Sequence, residues 1–310
     1  MKKDSQRIVS LLPATTEIVC ALGKKDALVG RSHECDYPDS VTDLPACTEA
    51  KFEPDGTSYG IDQRVKALLQ DGLSVYRVDA KVLAALEPDI IITQDHCEVC
   101  AASLEDVKEA TRETLGKDVS IISVSPQDLN DVFNSIGEIG KAIGTESEAE
   151  NLVESMKAGF RKISSKVNKR PPKNICCLEW MDPLMAAGNW IPELVEIAGG
   201  RELGAVAGKH SPVLEWKNLH ELNPEVLTIV PCGYSIDETL SEMETLTQQS
   251  AWNRLKAVRN GKVYILDGNH YFNRPGPRLT DSAEIFAEIL HPDIFNARHK
   301  NLGWIKYNSQ

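Results

Sequence analysis

Apolar residues fall in short continuous runs along this chain, separated by longer stretches in which they recur at helical spacing. IVSLL (8–12), ALVGRS (27–32), DIIIT (89–93), NICCL (174–178), VLTIV (226–230) and VYIL (263–266) are β-rich and read as strands. RIVSLLPATTEIVCALG (7–23) and NICCLEWMDPLMAAGNWIPELVEIAGG (174–200) each predict a strand, a loop and a helix that stops at glycine.

The same order of elements is written twice. ALEPDIII (85–92) and ELNPEVLT (221–228) both carry a helix end, Leu-x-Pro-acid, then a strand, with proline ending the helix. DVSIISVSPQDL (118–129) and GKVYILDGNHYF (261–272) supply a further matched pair, a strand closed by a polar loop. The expected fold is therefore α/β, two Rossmann-like lobes with a ligand cleft between them. We assign 1–144 to the first lobe, with an insert at about 47–80 that includes a short helix near 61–70. Residues 145–171 form a single long backbone helix and 172–310 the second lobe. The joining segment has acidic residues in its first turn and basic ones before Pro171-Pro172, as the helix dipole favours. About 24 helical residues would span about 36 Å, a spine rather than a loose hinge.

Composition narrows the function. Of 310 residues, 42% are hydrophobic and 26% charged, as in a soluble globular protein, and 46 acidic against 34 basic residues give a net charge of −12. Phosphate binding needs clustered lysine and arginine, so a nucleic-acid surface is not expected. No apolar run reaches the length of a membrane span. The apolar stretch near the N-terminus is broken by Pro13 and the polar TTE that follows, so we read it as a strand and expect a cytoplasmic protein. On that expectation the eight cysteines stay reduced, and metal binding, reactivity or burial compete to explain them.

In open α/β sheets ligands bind beyond the carboxyl ends of the strands. The residues that follow those ends here include Thr15, then His33-Glu34-Cys35-Asp36-Tyr37, then His96-Cys97-Glu98-Val99-Cys100, in the first half. In the second half they are Glu179-Trp180, Trp190, Cys232-Gly233-Tyr234 and Asn269-His270-Tyr271-Phe272, with Arg274 and Arg278 around a Pro-Gly-Pro turn. Aromatic rings, thiols and a few charges gathered there predict a small-molecule site.

RIVSLLPATTEIVCALG, Asp36-Tyr37-Pro38, LEPDIII, GNWIPELVEIAGG, LNPEVLTIV and DGNHYFNRPGPRL together resemble one family. It is the class III, vitamin B12/siderophore-type substrate-binding proteins of ABC transporters, in particular the cobalamin-binding branch. The likeness covers nearly the whole chain outside the insert. It implies a corrinoid or other metal chelate as ligand, with Tyr37, Trp180, Trp190, Phe272 and Arg274 in the lining. From their places at strand ends, Thr15, Glu34, Asp36, Glu179, Tyr234, Asn269, Tyr271 and Arg278 are expected to join them. Family members dock on a membrane permease through one carboxylate per lobe, and the matching positions here hold Lys81 and Lys217. Lysine in that place would oppose docking on arginines, so an ABC permease partner is doubted.

Three readings of Cys97-x-x-Cys100 stay open. With His33, Cys35 or Cys232 the pair could hold zinc or iron. It could be a redox pair at a helix start, or it could pack. Direct metal binding, a transport receptor and a cytoplasmic enzyme with a cysteine nucleophile are the alternatives to a corrinoid binder. GxGxxG, Walker A, HExxH and GxSxG motifs are absent.

Overall fold

The computed structural model describes residues 6–53, 56–70, 75–94, 107–108 and 119–308. Its contacts divide the chain into two compact units. The first is Met1–Gly56, Gln63–Pro126 and Asn130–Glu154, and the second is Thr57–Asp62, Gln127–Leu129 and Ser155–Gln310.

In the first unit β1 (Ile8–Ser10), β2 (Leu28–Arg31), β5 (Ile90–Gln94) and β6 (Ser120–Val124) form a sheet in the order β2-β1-β5-β6, with every pair parallel. Helix α1 (Pro13–Ala21) connects β1 to β2, and α3 (Ala80–Leu86) leads into β5. The 47–80 stretch adds a small antiparallel pair, β3 (Thr48–Ala50) with β4 (Tyr76–Val78), and α2 (Ser58–Gln70), which begins before the expected residue 61. Val9, Leu11, Leu83 and Ile91 are among the fully buried side chains of this unit's core.

The second unit repeats the plan. Here β9 (Gly200–Glu202), β7 (Lys173–Met181), β10 (Val226–Ile229) and β11 (Val263–Leu266) take the places of β2, β1, β5 and β6 in the order β9-β7-β10-β11, again all parallel. Antiparallel β8 (Leu184–Ala186) and β12 (Trp304–Lys306) extend it. Helix α6 (Ile191–Ile197) matches α1, and α7 (Trp216–Leu222) matches α3. Trp252, Leu227, Ile229 and Ile265 sit at the centre of its core.

The duplication extends to single hydrogen bonds. Helix α3 ends at Glu87 and α7 at Asn223, both left-handed (φ 42° and 44°), and each is followed by proline. The acid after that proline then ties the first strand of its sheet. Arg7 N–H donates to Asp89 Oδ2 at 2.9 Å, and Asn174 N–H donates to Glu225 Oε2 at 3.3 Å. The Leu-x-Pro-acid pattern is thus a helix stop and a strand clamp in one.

Four further helices complete the frame used below. α4 (Leu129–Ile143) is followed by α5 (Glu146–Val167), the expected long helix, whose 22 residues span about 33 Å. Glu146 and Glu148 open it and Lys166 lies in its last turn. α8 (Ile236–Glu242) follows β10, and α9 (Leu279–Leu290) precedes the C-terminal strand.

Candidate functional site

In a parallel sheet all carboxyl ends share one edge, so the loops after β1 and β2 of the first unit meet there. Pro13 starts α1 directly after β1 and turns two threonines inward. Thr15 Oγ1 lies 2.7 Å from Ser10 Oγ, and the Thr16 hydroxyl lies 2.9 Å from Ser10 Oγ and 3.1 Å from Cys35 Sγ. Thr15 and Cys35 are each 1% exposed. This corrects two expectations, because buried Thr15 is spent on tying α1 back to β1 and buried Cys35 on joining the next loop to α1.

His33 and Glu34, next along that loop, are half-buried and held from the insert. Thr48 Oγ1 lies 2.8 Å from His33 Nδ1 and donates to Ser32 Oγ at 3.1 Å. Tyr76 donates its hydroxyl to Glu34 Oε1 at 2.9 Å, and its ring leans on the His33 ring with centroids 5.5 Å apart. Burial pushes the His33 imidazole below its ordinary range, and the nearby Arg31 cation adds to that push. Asp36 is half-buried, and Tyr37 is 43% exposed, a large ring left at the surface. Cys97 and Cys100 lie outside the described residues.

In the second unit β7 runs on through Met181, so Glu179 and Trp180 belong to the strand and not to a loop after it. The strand is prolonged by its hairpin with β8, where Trp180 pairs with Met185. Burial pushes the Glu179 carboxyl up, opposed by a hydrogen bond with Ser211 and by His210. Trp180 donates its indole N–H to the Asp182 carbonyl at 3.1 Å. Its ring meets Tyr234 edge to face, centroids 5.5 Å apart at 73°, and both side chains are half-buried. The Cys232 N–H reaches the Glu179 carbonyl at 3.1 Å, and the Asn269 N–H reaches the Tyr234 carbonyl at 3.0 Å. The loops after β10 and β11 are therefore stitched to β7 and to each other. Arg274, itself buried, donates to Asn269 Oδ1 at 2.9 Å. Glu179, Trp180, Cys232, Tyr234, Asn269 and Arg274 form one neighbourhood.

Four expected lining residues pack elsewhere. Phe272 has no exposed surface and stands edge to face on Phe286, and the buried Trp190 donates its indole N–H to the Phe272 carbonyl at 2.9 Å. The two anchor the loop from beneath, and a ring with no open face cannot stack on a ligand. Arg278 lies over the Tyr271 ring at 5.6 Å, and Tyr271 in turn meets His299, so this pair braces the C-terminal segment. Among the described residues, the one group of His, Cys, Asp and Glu side chains close enough to share an ion is Asp281, Glu284 and His299. His33, Cys35 and Cys232 are not part of it. Sequence reasoning passed over Ser32, Thr48, Tyr76 and Ser211. None carries a local signal, and Thr48 and Tyr76 come from the insert that lay outside the resemblance.

A model of the periplasmic binding proteins matches residues 8–270. The chain belongs to the periplasmic binding protein family. It is 24% identical over 302 residues to the ABC transporter substrate-binding lipoprotein YvrC of Bacillus subtilis, covering 95% of this chain and 83% of that one. It is 23% identical over 279 residues to the vitamin B12-binding protein of Vibrio parahaemolyticus, covering 89% and 86%. Among solved structures, a periplasmic heme-binding protein from Pseudomonas aeruginosa superposes with a TM-score of 0.69 at 21% identity, covering 93% and 94%, which shows the shared fold.

The chain is thereby placed with the substrate-binding proteins of ABC transporters, proteins that take a small ligand and dock on a permease. Two expectations fall with that finding. The cytoplasmic location is overturned by relatives that are a lipoprotein and a periplasmic protein. Burial pushes the Cys20 thiol up to about 11 and the Cys47 thiol up to about 12, which keeps these two protonated and poorly reactive, whereas Cys232 is exposed. Doubt about a permease partner also fails. Lys81 and Lys217 are exposed in the first turns of α3 and α7, at equal positions in the two repeats, beside the capping residues Asp79 and Glu215. Among the described residues no helix is long and apolar enough to cross a membrane.

Proposed function

We propose that the protein is an extracytoplasmic receptor that captures a flat, metal-bearing macrocycle, a corrinoid, and passes it to an ABC permease. The observation that carries this reading is the Trp180–Tyr234 pair at the carboxyl edge of the second sheet. Two half-buried aromatic rings, one locked through its indole N–H and the other through its loop, offer apolar surface without the entropy cost of a mobile side chain. The neighbouring Asn269 and buried Arg274 supply polar contacts of the kind that suit acidic or amide substituents on such a ring. The vitamin B12-binding relative supports the corrinoid. A heme-type ring is the second reading, favoured by the heme-binding protein that shares the fold.

Titration of the full chain with cobalamin and with hemin, followed by tryptophan fluorescence, tests the proposal. Quenching that saturates at one ligand per chain is expected, and Trp180→Ala should weaken affinity about tenfold, the loss of about 1.4 kcal/mol of stacking and burial. Absence of quenching with either ring would overturn the macrocycle, and equal affinity in the variant would remove Trp180 from its site.

The permease contact follows from charge. A lysine in the first turn of a helix works against the dipole, yet both repeats keep one there, with the Lys217 side chain 78% exposed. Acidic residues on the permease are the complementary partner. In proteoliposomes holding the cognate transporter, Lys81→Glu/Lys217→Glu should abolish most stimulation of ATP hydrolysis, and rising salt should weaken the wild type. Unchanged stimulation would move the docking surface elsewhere.

A further inference from the structure

We propose that Asp281, Glu284 and His299 form a zinc site that pins the C-terminal segment to α9, independently of the cargo the protein carries. All three side chains belong to the second unit and come from two segments. Asp281 and Glu284 stand three residues apart on α9, hence on one face, and His299 lies on the segment that leads into β12. One donor atom from each lies within 4.8 Å of the other two. A tetrahedral ion with bonds of about 2.0–2.1 Å holds its ligand atoms about 3.3 Å apart. Small rotations of the two carboxylates, 46% and 27% exposed, close that gap.

Two carboxylates at a surface select no ion; the histidine makes the difference. Its side chain is 14% exposed, and Nδ1 faces Glu288 Oε1 at 2.8 Å, on a carboxylate with no exposed surface that is not itself one of the three ligands. Glu288 already accepts from the Trp304 indole and the Arg298 backbone N–H, so it accepts from His299 as well and Nδ1 carries the hydrogen. Nε2 is thereby turned toward Asp281 Oδ1, 3.8 Å away. Tyr271 holds the ring plane, edge to face with centroids 6.1 Å apart at 79°. A carboxylate behind an imidazole is the arrangement that orients zinc-bound histidines and raises their basicity. In the chain alone two cations balance the ligand carboxylates. They are the imidazolium beside Asp281 and the Arg298 guanidinium, 70% exposed, which donates to Glu284 Oε1 at 3.2 Å. Exposed ion pairs are weak and readily exchanged. When zinc binds, the Nε2 proton passes to solvent, the lone pair it leaves forms the bond to the ion, and a zinc-bound water departs with its own electron pair. Arg298 swings out, and water keeps the fourth position. One imidazole with two carboxylates suits zinc, whereas calcium takes six to eight oxygens.

Titration of the chelator-treated full chain with zinc chloride, followed by calorimetry and thermal melting, tests this. Wild type should bind zinc with saturation and melt about 5 °C higher at 100 times Kd. His299→Gln should lose that ion, with affinity down by more than about 100-fold, beyond the effect of losing an outer partner. Glu284→Gln, on a partly exposed helix face where the fold tolerates the change, should lose at least about tenfold. Arg298→Gln should gain about threefold, the worth of an exposed ion pair that competes for Glu284, a gain that a purely structural cluster does not predict. Cobalt(II) bound in place of zinc should lack the intense ultraviolet band of cobalt–thiolate bonds, and calcium should not compete. A wild type that takes up no zinc with saturation would overturn the site. So would affinity that survives both His299→Gln and Glu284→Gln. Zinc lost only in Cys97→Ser/Cys100→Ser would place the metal at the cysteines and overturn it equally.

Discussion

Glu288→Ala is expected to destabilise the fold by about 3–5 kcal/mol, the usual result of removing one partner from a buried ionic group. The Glu288 carboxylate has no exposed side-chain surface. It accepts from the Trp304 indole N–H at 2.7 Å, from His299 Nδ1 at 2.8 Å and from the Arg298 backbone N–H at 2.9 Å. Those donors come from the C-terminal segment, so this one side chain on α9 holds β12 against the sheet. Alanine would strand them without acceptors. Glu288→Gln keeps one oxygen but turns an amide N–H₂ toward donors, and should fall between.

The same substitution carries a pH signature. Hydrogen bonding to Asp281, and then to Glu288, holds the His299 imidazolium and raises its folded pKa, against the effect of burial. A raised histidine contributes stability that is fully present below its unfolded value of about 6.5 and is lost as pH rises through the folded value. Glu288→Ala should therefore cost more at pH 6 than at pH 9. Urea unfolding of wild type and variant at both pH values decides it. A loss under about 1 kcal/mol, or one independent of pH, would mean that the C-terminal segment is held by something else.

Gly268→Ala should cost about 3 kcal/mol and weaken ligand binding more than Trp180→Ala does. A Cβ at this position would run into the Pro231 carbonyl and would stand 2.9 Å from Asn273 Nδ2. Both obstacles belong to the stitching of the site, since Asn273 donates to the Pro231 carbonyl at 3.3 Å and Tyr234 N–H reaches the same oxygen at 3.2 Å. Making room would separate the loop after β11 from the loop after β10, and with it Asn269 from Tyr234. Thermal melting together with cobalamin or hemin titration would show both losses. Wild-type melting with lost binding would mean that the loop alone moves, and wild-type values for both would show that the close approach is dispensable.

The repeated architecture was legible because its signals are local and redundant. Proline after a left-handed residue stops α3 and α7, the acid after it clamps the neighbouring strand, and β-rich runs follow at once. Each signal needs only a few consecutive residues, so reading them in order recovers the repeated succession of elements, though not the edge strands β8, β9 and β12. The end of β7 was misplaced for a reason of the same kind. Its last residues are kept extended by β8, a partner that no residue inside the strand announces.

The site was legible as a set of loops and not as a set of atoms. Chain order alone puts Thr15, His33, Trp180, Tyr234 and Asn269 near strand ends, since a parallel sheet carries all its outgoing loops on one edge. Which of them face outward depends on contacts between segments far apart in sequence. Thr15 and Cys35 are turned inward by Ser10 and Thr16, and Phe272 is sealed by Phe286. The hold on His33 depends on Thr48, which belongs to β3 of the insert, fifteen residues further along the chain. Periodicity and turn chemistry act over a few residues and leave a trace in the order of letters. A hydrogen bond between distant segments exists only once packing has closed the distance, and its two partners look ordinary until then.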